Sequence, residues 1–267
     1  MQAVVHDVTL HNPPSGAAAQ ARDAAVIINA DDWGRDKDVT DRSFECVSQG
    51  VLSSVSAMVF MEDSERAASL ARQHSVDAGL HLNLTAAFSG TNCDSRLKGH
   101  QQKITRFLRA SRLCPAIYHP GLSGSFEYVV KAQLDEYERL YGVAPGRVDG
   151  HHHMHLCANV QVQKLLPAGT IARRNFSFAS GEKGALNRRY RRWQDSRLAK
   201  RHRMTDFFFA LPPMDPPGRL ERIFDLANRC TVEVETHPVN ADEYQFLTGG
   251  ELMRRVGDVK IARGYAL

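Results

Sequence analysis

The sequence predicts an α/β protein in which about seven parallel strands alternate with helices and close as a barrel. Short β-branched runs recur between longer amphipathic segments from residue 24 to residue 235, and no internal repeat competes with that pattern. The 267 residues, 43% of them hydrophobic, are enough for one substantial core. No run approaches eighteen apolar residues, so no membrane-spanning helix is expected. We therefore expect one domain over residues 24–267.

The first residues of the chain give few structural signals. Residues 1–23 are rich in Ala, Pro, Gly and polar residues without a lasting period, which predicts a poorly ordered N-terminal extension. Because this stretch has no apolar segment led by Lys or Arg, no secretory signal is predicted and the expected location is cytoplasmic. The five cysteines are scattered and include no Cys-x-x-Cys pair, so we expect reduced thiols.

The predicted elements alternate along the chain with one interruption. Strands are predicted at residues 24–30, 53–60, 78–84, 147–151, 171–178, 205–210 and 231–235, and helices at 36–49, 63–74, 125–141, 158–166, 184–203 and 217–229. Between residues 86 and 123, Gly, Ser, Asn, Pro and basic residues predict an elaborated loop with a short helical piece at 104–110. Because loops after barrel strands carry substrate recognition, this insertion is expected to overhang the site.

Positive charge is concentrated in one segment. The chain carries a net +4, whereas residues 171–203 hold eleven Lys/Arg and two acidic residues, a local +9 that leaves −5 for the remainder. A solvated helix face is the simplest interpretation, with an anionic substrate group, a membrane surface or nucleic acid as alternatives. Tyr190 and Trp193 lie with Leu186 at helical spacing, which favours packing over base stacking, so no nucleic acid is expected. Peripheral membrane contact through residues 171–203 and oligomer formation stay open.

Two adjacent carboxylates follow the first predicted strand. Asp31 and Asp32 stand where an α/β fold places catalytic groups, at the carboxyl end of a strand. Neighbouring side chains on an extended backbone point in different directions, so one carboxylate can bind a metal while the other accepts a proton from water. The alternative is a helix N-cap, because Asp is common in strand-to-helix turns.

Histidines follow the third and fourth predicted strands. His81 and Asn83 share one face of an otherwise apolar strand, where a lone histidine is more often a satisfied core residue than a ligand. The segment after Asp149 then holds four histidines within residues 151–155. In an extended segment His151, His153 and His155 would share one face, and His152 would lie on the other. One carboxylate and two imidazoles with open positions are a common design for catalytic zinc, whereas an adventitious His-rich loop is the alternative.

A further histidine follows the last predicted strand. His237 precedes Pro238, which fixes the chain after it, and the residue is interpreted as a general acid or as a structural turn histidine. Glu233 and Glu235 share one face of that strand, so either carboxylate could orient a histidine or pair with a basic side chain.

Taken together, these motifs identify a family resemblance. Asn-Ala-Asp-Asp-Trp-Gly, Gly-Leu-His-Leu-Asn-Leu, Asp-Gly-His-His-His-Met-His and the late Thr-His-Pro resemble the YdjC-like carbohydrate deacetylases, which include chitooligosaccharide deacetylases. The similarity runs over residues 25–240. It implies a distorted (β/α) barrel related to the polysaccharide deacetylases, with one divalent metal ion, zinc or magnesium, held by an Asp-His-His set. The extension, the loop at 86–123 and the basic segment match no motif of the family.

The resemblance also implies roles for single residues. By position, Asp32, His81 and His151 are similar to the metal ligands of the family, Asp31 to its general base and His237 to its general acid. The residues expected to line the substrate are Trp33, which stands where the family usually has Phe, together with Asn83, His153 and His155.

The implied reaction is the removal of an N-acetyl group from an amino-sugar oligosaccharide or sugar conjugate. A metal-dependent phosphoesterase and a catalytically idle carbohydrate-binding protein are the alternatives. If the substrate is anionic, basic side chains of the charged segment are expected near its phosphate, namely Arg173, Arg174, Arg188, Arg189, Arg191 and Arg192.

Overall fold

A single parallel sheet organises the molecule. The computed structural model describes residues 24–178, 182–214 and 218–265, so the extension predicted for residues 1–23 lies outside the described residues. The strands of the sheet, numbered in chain order, are β1 (Ala25–Trp33), β2 (Ser54–Ala57), β3 (Ala78–Leu82), β4 (Arg147–Gly150), β5 (Ile171–Ala172), β6 (Phe207–Ala210) and β7 (Thr231–Thr236). Their spatial order is β5-β4-β3-β2-β1-β7-β6, and every pair is parallel.

Helices connect successive strands. In the described residues these are α1 (Lys37–Ser48), α2 (Ser64–Gln73), α3 (Ser95–Ala110), α4 (Ser123–Tyr141), α5 (Ala158–Val162), α6 (Ala185–Leu198), α7 (Arg219–Ala227), α8 (Ala241–Thr248) and α9 (Glu251–Val256). Short 3-10 turns span Cys114–Ala116, Pro120–Leu122 and His151–Leu156. In the part of the chain that the structure describes, no helix is long and apolar enough to cross a bilayer.

The central strand shows why the sequence folds this way. All nine residues of β1 are buried, between β2 on one side and β7 on the other. A strand covered on both faces needs a continuous apolar run, and Val26, Ile27 and Ile28 supply it, each worth roughly 1.5–3 kcal/mol when fully buried. The chain then turns into α1, where the Asp36 side chain accepts a hydrogen bond from the Val39 amide and caps the helix.

The predicted distorted barrel of about seven strands is confirmed as a curled half-barrel. β5 and β6 form the two edges of the described sheet, and they do not pair as a ladder. Instead, the Ser177 amide donates to the Phe208 carbonyl oxygen (2.8 Å), so the segment after β5 reaches across to β6. The strand predicted at 171–178 is therefore wrong beyond Ala172, because the Asn175 amide is satisfied by the Asp195 carboxylate rather than by a neighbouring strand.

The insertion at residues 86–123 is more helical than predicted. Its helix α3 has sixteen residues and begins at Ser95, where the Asp94 side chain accepts a hydrogen bond from the Leu97 amide (2.6 Å). The stretch from Lys98 to Lys103 contains no large apolar residue, so the helical period is weak there. Helices α8 and α9 were also not predicted. Each of the five cysteines is a free thiol, as expected.

Candidate active site

The polar residues singled out in the sequence meet at the carboxyl ends of the strands. Asp31 and Asp32 close β1, His81 lies in β3, His151 follows β4 and His237 follows β7. This edge is where parallel α/β sheets place their catalytic groups, because the loops there are free to vary while the strands fix the geometry.

An irregularity in β1 brings its two carboxylates to the same place. The pairing of β1 with β2 shifts register between Ala30 and Trp33, and Asp32 adopts a left-handed backbone with φ of 66°. As a result, Asp31 Oδ2 and Asp32 Oδ1 lie 3.8 and 3.3 Å from the same atom, His81 Nε2. The simple alternation expected for an extended strand is thus broken by a bulge, which re-aims one side chain.

The three predicted metal ligands come together. Asp32 Oδ1 lies 3.3 Å from His81 Nε2 and 2.8 Å from His151 Nδ1, and the three ligand atoms all lie within 4.8 Å of one another. Bonds of about 2.0–2.1 Å in a tetrahedral site separate neighbouring ligand atoms by roughly 3.4 Å. Asp32 and His81 are buried, whereas His151 is partly exposed, so the cluster is reachable from solvent. These side chains could therefore hold one divalent ion.

Each of the two buried ligands is held by a second residue. Arg35 Nη1 donates to Asp32 Oδ2 (2.7 Å), which leaves Asp32 Oδ1 to face the imidazoles. His81 Nδ1 lies 2.7 Å from Asp149 Oδ1, and Asp149 is its register partner in β4. An imidazole that donates from Nδ1 to a carboxylate presents the lone pair of Nε2, as a metal ligand must.

The ionisation of the cluster reflects these contacts. Burial alone would raise the pKa of Asp32, but hydrogen bonds from His151 and His81 outweigh it and hold that pKa well below its usual range. Burial likewise opposes protonation of His81, but the carboxylates of Asp31 and Asp149 raise its pKa to about 10. Since a histidine must be neutral to bind a metal, protonation of His81 competes with metal binding.

A buried arginine holds Asp31. Arg173 donates from Nη1 to Asp31 Oδ2 (2.6 Å) and from Nη2 to Asp31 Oδ1 (2.7 Å), and its Nε donates to Glu233 Oε1 (2.6 Å). Burial would raise the pKa of Asp31, but the charge and hydrogen bond of Arg173 together with the charge of His81 outweigh burial and lower that pKa. Asp31 is thereby ionised and fixed in orientation beside His81.

A second group of side chains adjoins Asp31. Ligand atoms of Asp31, Glu235 and His237 lie within 4.8 Å of one another, and His237 is partly exposed. Burial raises the pKa of Glu235 well above its usual range, and the charge of Asp31 raises it further. The His237 amide donates to Glu243 Oε2 (2.8 Å), which fixes the start of the turn after β7. Two carboxyl groups and an imidazole therefore share one corner of the site.

The His-rich segment forms a turn rather than an extension of the strand. His152 and His153 have φ of 54° and 58°, left-handed values that send successive imidazoles in different directions. Of these, His152 Nδ1 contacts Thr85 Oγ1 (2.9 Å), while the ring of His153 packs edge-on against Phe176. The expectation that alternate histidines share one face is thus wrong, because the backbone is not extended here.

Three of the residues expected to line the substrate are buried. Trp33 is fully buried and donates from Nε1 to the Ala67 carbonyl oxygen (3.2 Å). Asn83 is fully buried and accepts hydrogen bonds from the amides of the turn that follows β3, while His155 Nε2 contacts the Arg173 carbonyl oxygen (2.8 Å). Of the four, only His153 retains partial exposure.

The first two arginines of the basic segment are also internal. Arg173 is 2% exposed, and Arg174 donates to backbone carbonyl oxygens of residues 205 and 206 and to the Asp195 carboxylate. The sequence analysis placed both arginines near a substrate phosphate. That expectation is wrong, because neither guanidinium is free to hold one. The reason is electrostatic, because buried carboxylates need a buried cation.

Buried acidic and basic side chains are concentrated in this region. Among the described residues, five buried acidic side chains and two buried guanidinium groups lie in this region. The acidic side chains are those of Asp31, Asp32, Asp149, Glu233 and Glu235, and the guanidinium groups are those of Arg147 and Arg173. Arg35 adds a partly exposed positive charge at the rim. Two groups of the region depart from this simple count, because the pKa of Glu235 is raised well above its usual range and that of His81 is raised to about 10.

Sequence reasoning missed the residues that position the site. Asp149 was seen only as part of the His-rich motif, and Arg173 only as part of the basic segment. A signal existed for Asp149, since it follows Val148 in a strand whose neighbour carries His81, but strand order is not readable from sequence. Arg173 contacts Asp31 across 142 residues of chain, a pairing that no local pattern reveals.

Comparison with known proteins shows the family of the chain. Residues 25–259 match the model of a family described as YdjC-like protein. The chain belongs to the YdjC-like family. That span includes every residue of the candidate metal and proton-transfer groups.

Relatives in the family carry related names. A carbohydrate deacetylase of Brevibacillus brevis is 28% identical over 245 residues, covering 88% of this chain and 90% of its own length. A chitooligosaccharide deacetylase of Serratia marcescens is 31% identical over 135 residues, 49% of this chain and 50% of its own. A carbohydrate deacetylase of Mus musculus is 30% identical over 148 residues, 51% of this chain, and the chain spans 44% of its length.

A solved structure supports the fold. A protein of Enterococcus faecalis described as a cellobiose-phosphate cleavage protein superposes with a TM-score of 0.59 at 17% identity. The superposition covers 89% of this chain and 96% of that one. At this identity the likeness establishes the half-barrel architecture.

Proposed function

We propose that this protein is a metal-dependent hydrolase that removes N-acetyl groups from amino sugars or their conjugates. The observation that carries the proposal is the meeting of an Asp-His-His group with an ionised carboxylate, Asp31, that lies 3.8 Å from one of its imidazoles. The names of the relatives, carbohydrate and chitooligosaccharide deacetylases, supply the substrate class. The residues proposed to hold one zinc or magnesium ion are Asp32, His81 and His151.

Amide hydrolysis needs an activated carbonyl, an activated water and a protonated leaving nitrogen. A divalent ion at the Asp32 group would polarise the acetyl carbonyl and lower the pKa of water. Asp31 then accepts the proton of the attacking water, and Arg173 keeps its carboxylate aimed at the reacting atoms. His237 delivers a proton to the departing amine nitrogen. The products are acetate and a free amino sugar.

The low pKa of Asp31 is compatible with this role. A carboxylate paired with Arg173 is a weak base, but it stays ionised throughout the neutral range and is therefore always ready to accept a proton. The neighbouring Glu235 and His237 offer a route by which that proton can pass to the leaving group.

The phosphoesterase alternative has less support. Enzymes of that class often bind two metals roughly 3.5–4 Å apart, which requires a second set of free ligands. The other carboxylates beside His81 are those of Asp31 and Asp149, and Arg173 contacts both of them. Acetyl removal needs one ion only.

Acetate release tests the proposal. The purified chain is incubated with N-acetylglucosamine oligomers and with nucleotide-linked and lipid-linked N-acetyl sugars, in the presence of Zn²⁺ or Mg²⁺. We expect acetate from at least one substrate, with kcat lowered roughly 100-fold or more in Asp31→Asn and His237→Ala. Asp135→Asn, at an exposed carboxylate of α4, is the control and keeps wild-type activity.

Other products would reject the assignment. The absence of acetate from every N-acetylated substrate, with a folded and metal-loaded protein, contradicts deacetylation. Release of phosphate from p-nitrophenyl phosphate together with two zinc ions in anomalous difference maps would establish the phosphoesterase instead.

A further inference from the structure

Helix α6 presents an apolar stripe to solvent. Leu186, Tyr190 and Trp193 are 85%, 41% and 53% exposed. Their spacing places them on one side of the helix, whereas its buried residues, Asp195 and Leu198, lie on the other. The stripe therefore points away from the protein, and the packing role predicted for these side chains is wrong.

Neighbouring segments extend this apolar surface. Of the nine large hydrophobic side chains that are exposed in the described residues, seven belong to α6, to α5 and to the connection between α3 and α4. The seven are Leu113, Ile117, Tyr118, Val162, Leu186, Tyr190 and Trp193. Hydrogen bonds connect these segments: Gln194 Nε2 of α6 donates to the carbonyl oxygen of Leu156, two residues before α5 begins (3.4 Å), and Asn159 Nδ2 of α5 donates to the His119 carbonyl oxygen (3.0 Å). Monomeric proteins rarely cluster exposed apolar residues without a partner.

The same surface is basic. Arg189 and Arg192 are exposed on α6 beside the stripe, and the Arg197 guanidinium lies 4.9 Å from the centre of the Trp193 ring. A cavity of about 510 Å³ opens between α5 and α6. Its basic and aromatic lining residues are Lys164, Trp193, Arg197, Lys200, Arg201 and His202, and no Asp or Glu of the described residues lines it.

We propose that this face docks on an anionic phospholipid bilayer. Leu186 and Trp193 enter the headgroup region, while the basic cavity between α5 and α6 receives a lipid phosphate. A helix with Trp, Tyr and Leu on one side and Arg along its flank is the composition that binds the interface of anionic membranes. At about 21 Å, α6 is long enough to lie flat in that interface.

Charge and shape disfavour the other occupants. A second copy of the chain would bring two basic faces together, which costs energy through like-charge repulsion. A nucleic acid would match the charge, but it stacks on aromatic rings and gives no apolar medium for Leu186 or Val162. A bilayer satisfies both the charge and the aliphatic side chains.

Tryptophan fluorescence provides a direct measurement. The chain has two tryptophans, and Trp33 is fully buried, so an emission change on adding lipid reports Trp193. Vesicles of phosphatidylcholine containing phosphatidylglycerol are expected to shift the emission to the blue, and brominated acyl chains are expected to quench it. Pure phosphatidylcholine vesicles and high salt should abolish both effects.

Sedimentation with the same vesicles tests the residues. Two double variants should each weaken partitioning roughly tenfold or more. Leu186→Ser/Trp193→Ser removes the apolar side chains that enter the membrane. Arg189→Glu/Arg192→Glu removes two basic residues, each of which contributes about fivefold near an anionic surface. Val143→Ser/Met253→Ser is the matched control, since these apolar side chains are 64% and 51% exposed elsewhere, and it should bind as the wild type does. All substituted side chains are exposed, and circular dichroism checks that each variant is folded.

Three results would overturn the proposal. The first is equal sedimentation of the wild type and the Leu186→Ser/Trp193→Ser variant, or none by either. The second is self-association of the lipid-free chain that this variant abolishes, which would make the face a contact between copies. The third is salt-sensitive oligonucleotide binding without vesicle binding, which would make it a nucleic-acid surface.

Discussion

Asp149 orients the imidazole of His81 from behind. The contact between Asp149 Oδ1 and His81 Nδ1 (2.7 Å) fixes the ring so that Nε2 faces Asp32. We expect Asp149→Asn to weaken Zn²⁺ affinity about 10–100-fold, because outer partners of this kind set the tautomer and basicity of a metal-binding histidine. Competition with a zinc-sensitive dye measures the change. Asp195→Asn, at a buried carboxylate of α6, should leave the affinity unaltered, and an unchanged affinity in Asp149→Asn would refute the role.

Arg173 acts on Asp31 in a similar way. Lysine keeps the positive charge but cannot make the two parallel hydrogen bonds of the guanidinium. For Arg173→Lys we therefore expect kcat to fall roughly tenfold or more, with KM and Zn²⁺ affinity near wild type, because the base loses its orientation. Arg174→Lys, at the adjacent residue, should keep kcat. A change confined to KM would point to a substrate contact instead.

Glu235 gives a pH dependence of stability. Because its pKa is raised in the folded state, the protonated carboxyl contributes stability that is complete below the unfolded pKa of about 4.5 and is lost as pH rises toward the folded pKa. Glu235→Gln stays neutral and is expected to match the wild type near pH 4.5 and to exceed it at pH 7.5. Urea unfolding of both proteins at the two pH values measures this difference. A difference that shrinks with rising pH would contradict the assignment.

At the scale of the element, the turn after β4 decides where the imidazoles point. A Cβ on Gly150 would lie 2.9 Å from the His155 amide nitrogen, so the turn of His151–Leu156 needs glycine before it. Gly150→Ala is expected to cost about 1–3 kcal/mol and to weaken metal binding, because His151 moves with the turn. Gly146→Ala is the matched control, since its added Cβ would meet nothing within 4 Å. Thermal unfolding and zinc titration of both variants distinguish the two positions.

Element boundaries show what local patterns can and cannot predict. The apolar run of β1 and the helical period of α4 were placed within a few residues, because burial on fixed faces leaves a periodic trace in the sequence. The strand predicted at 171–178 was wrong beyond Ala172, since the Asn175 amide is satisfied by the Asp195 carboxylate of α6 rather than by a neighbouring strand. Most of α3 was missed because its first nine residues contain a single large apolar side chain, Leu97, which is too few to show a helical period.

At the scale of the whole molecule, a bound ion would join three parts of the sheet. Asp32, His81 and His151 come from β1, from β3 and from the turn after β4. Zn²⁺ at 100 times its Kd should stabilise the fold by about 2.7 kcal/mol, a rise in Tm of about 5–10 °C, which a chelator reverses. Asp32→Asn should show little of this response. Calorimetry with and without metal makes the measurement, and equal shifts in the two proteins would place the ion elsewhere.

The sequence by itself determined the α/β class, with about seven parallel strands, and the strand ends that carry Asp31, Asp32, His81 and His237, because hydrophobic period and turn placement are local properties of the chain. Only the tertiary structure decided which neighbours these side chains have. Arg173 meets Asp31 across 142 residues, and the stripe of α6 faces solvent because that helix buries its opposite side. Hydrogen-bond partners and exposure depend on how elements pack, and packing is a property of the assembled sheet.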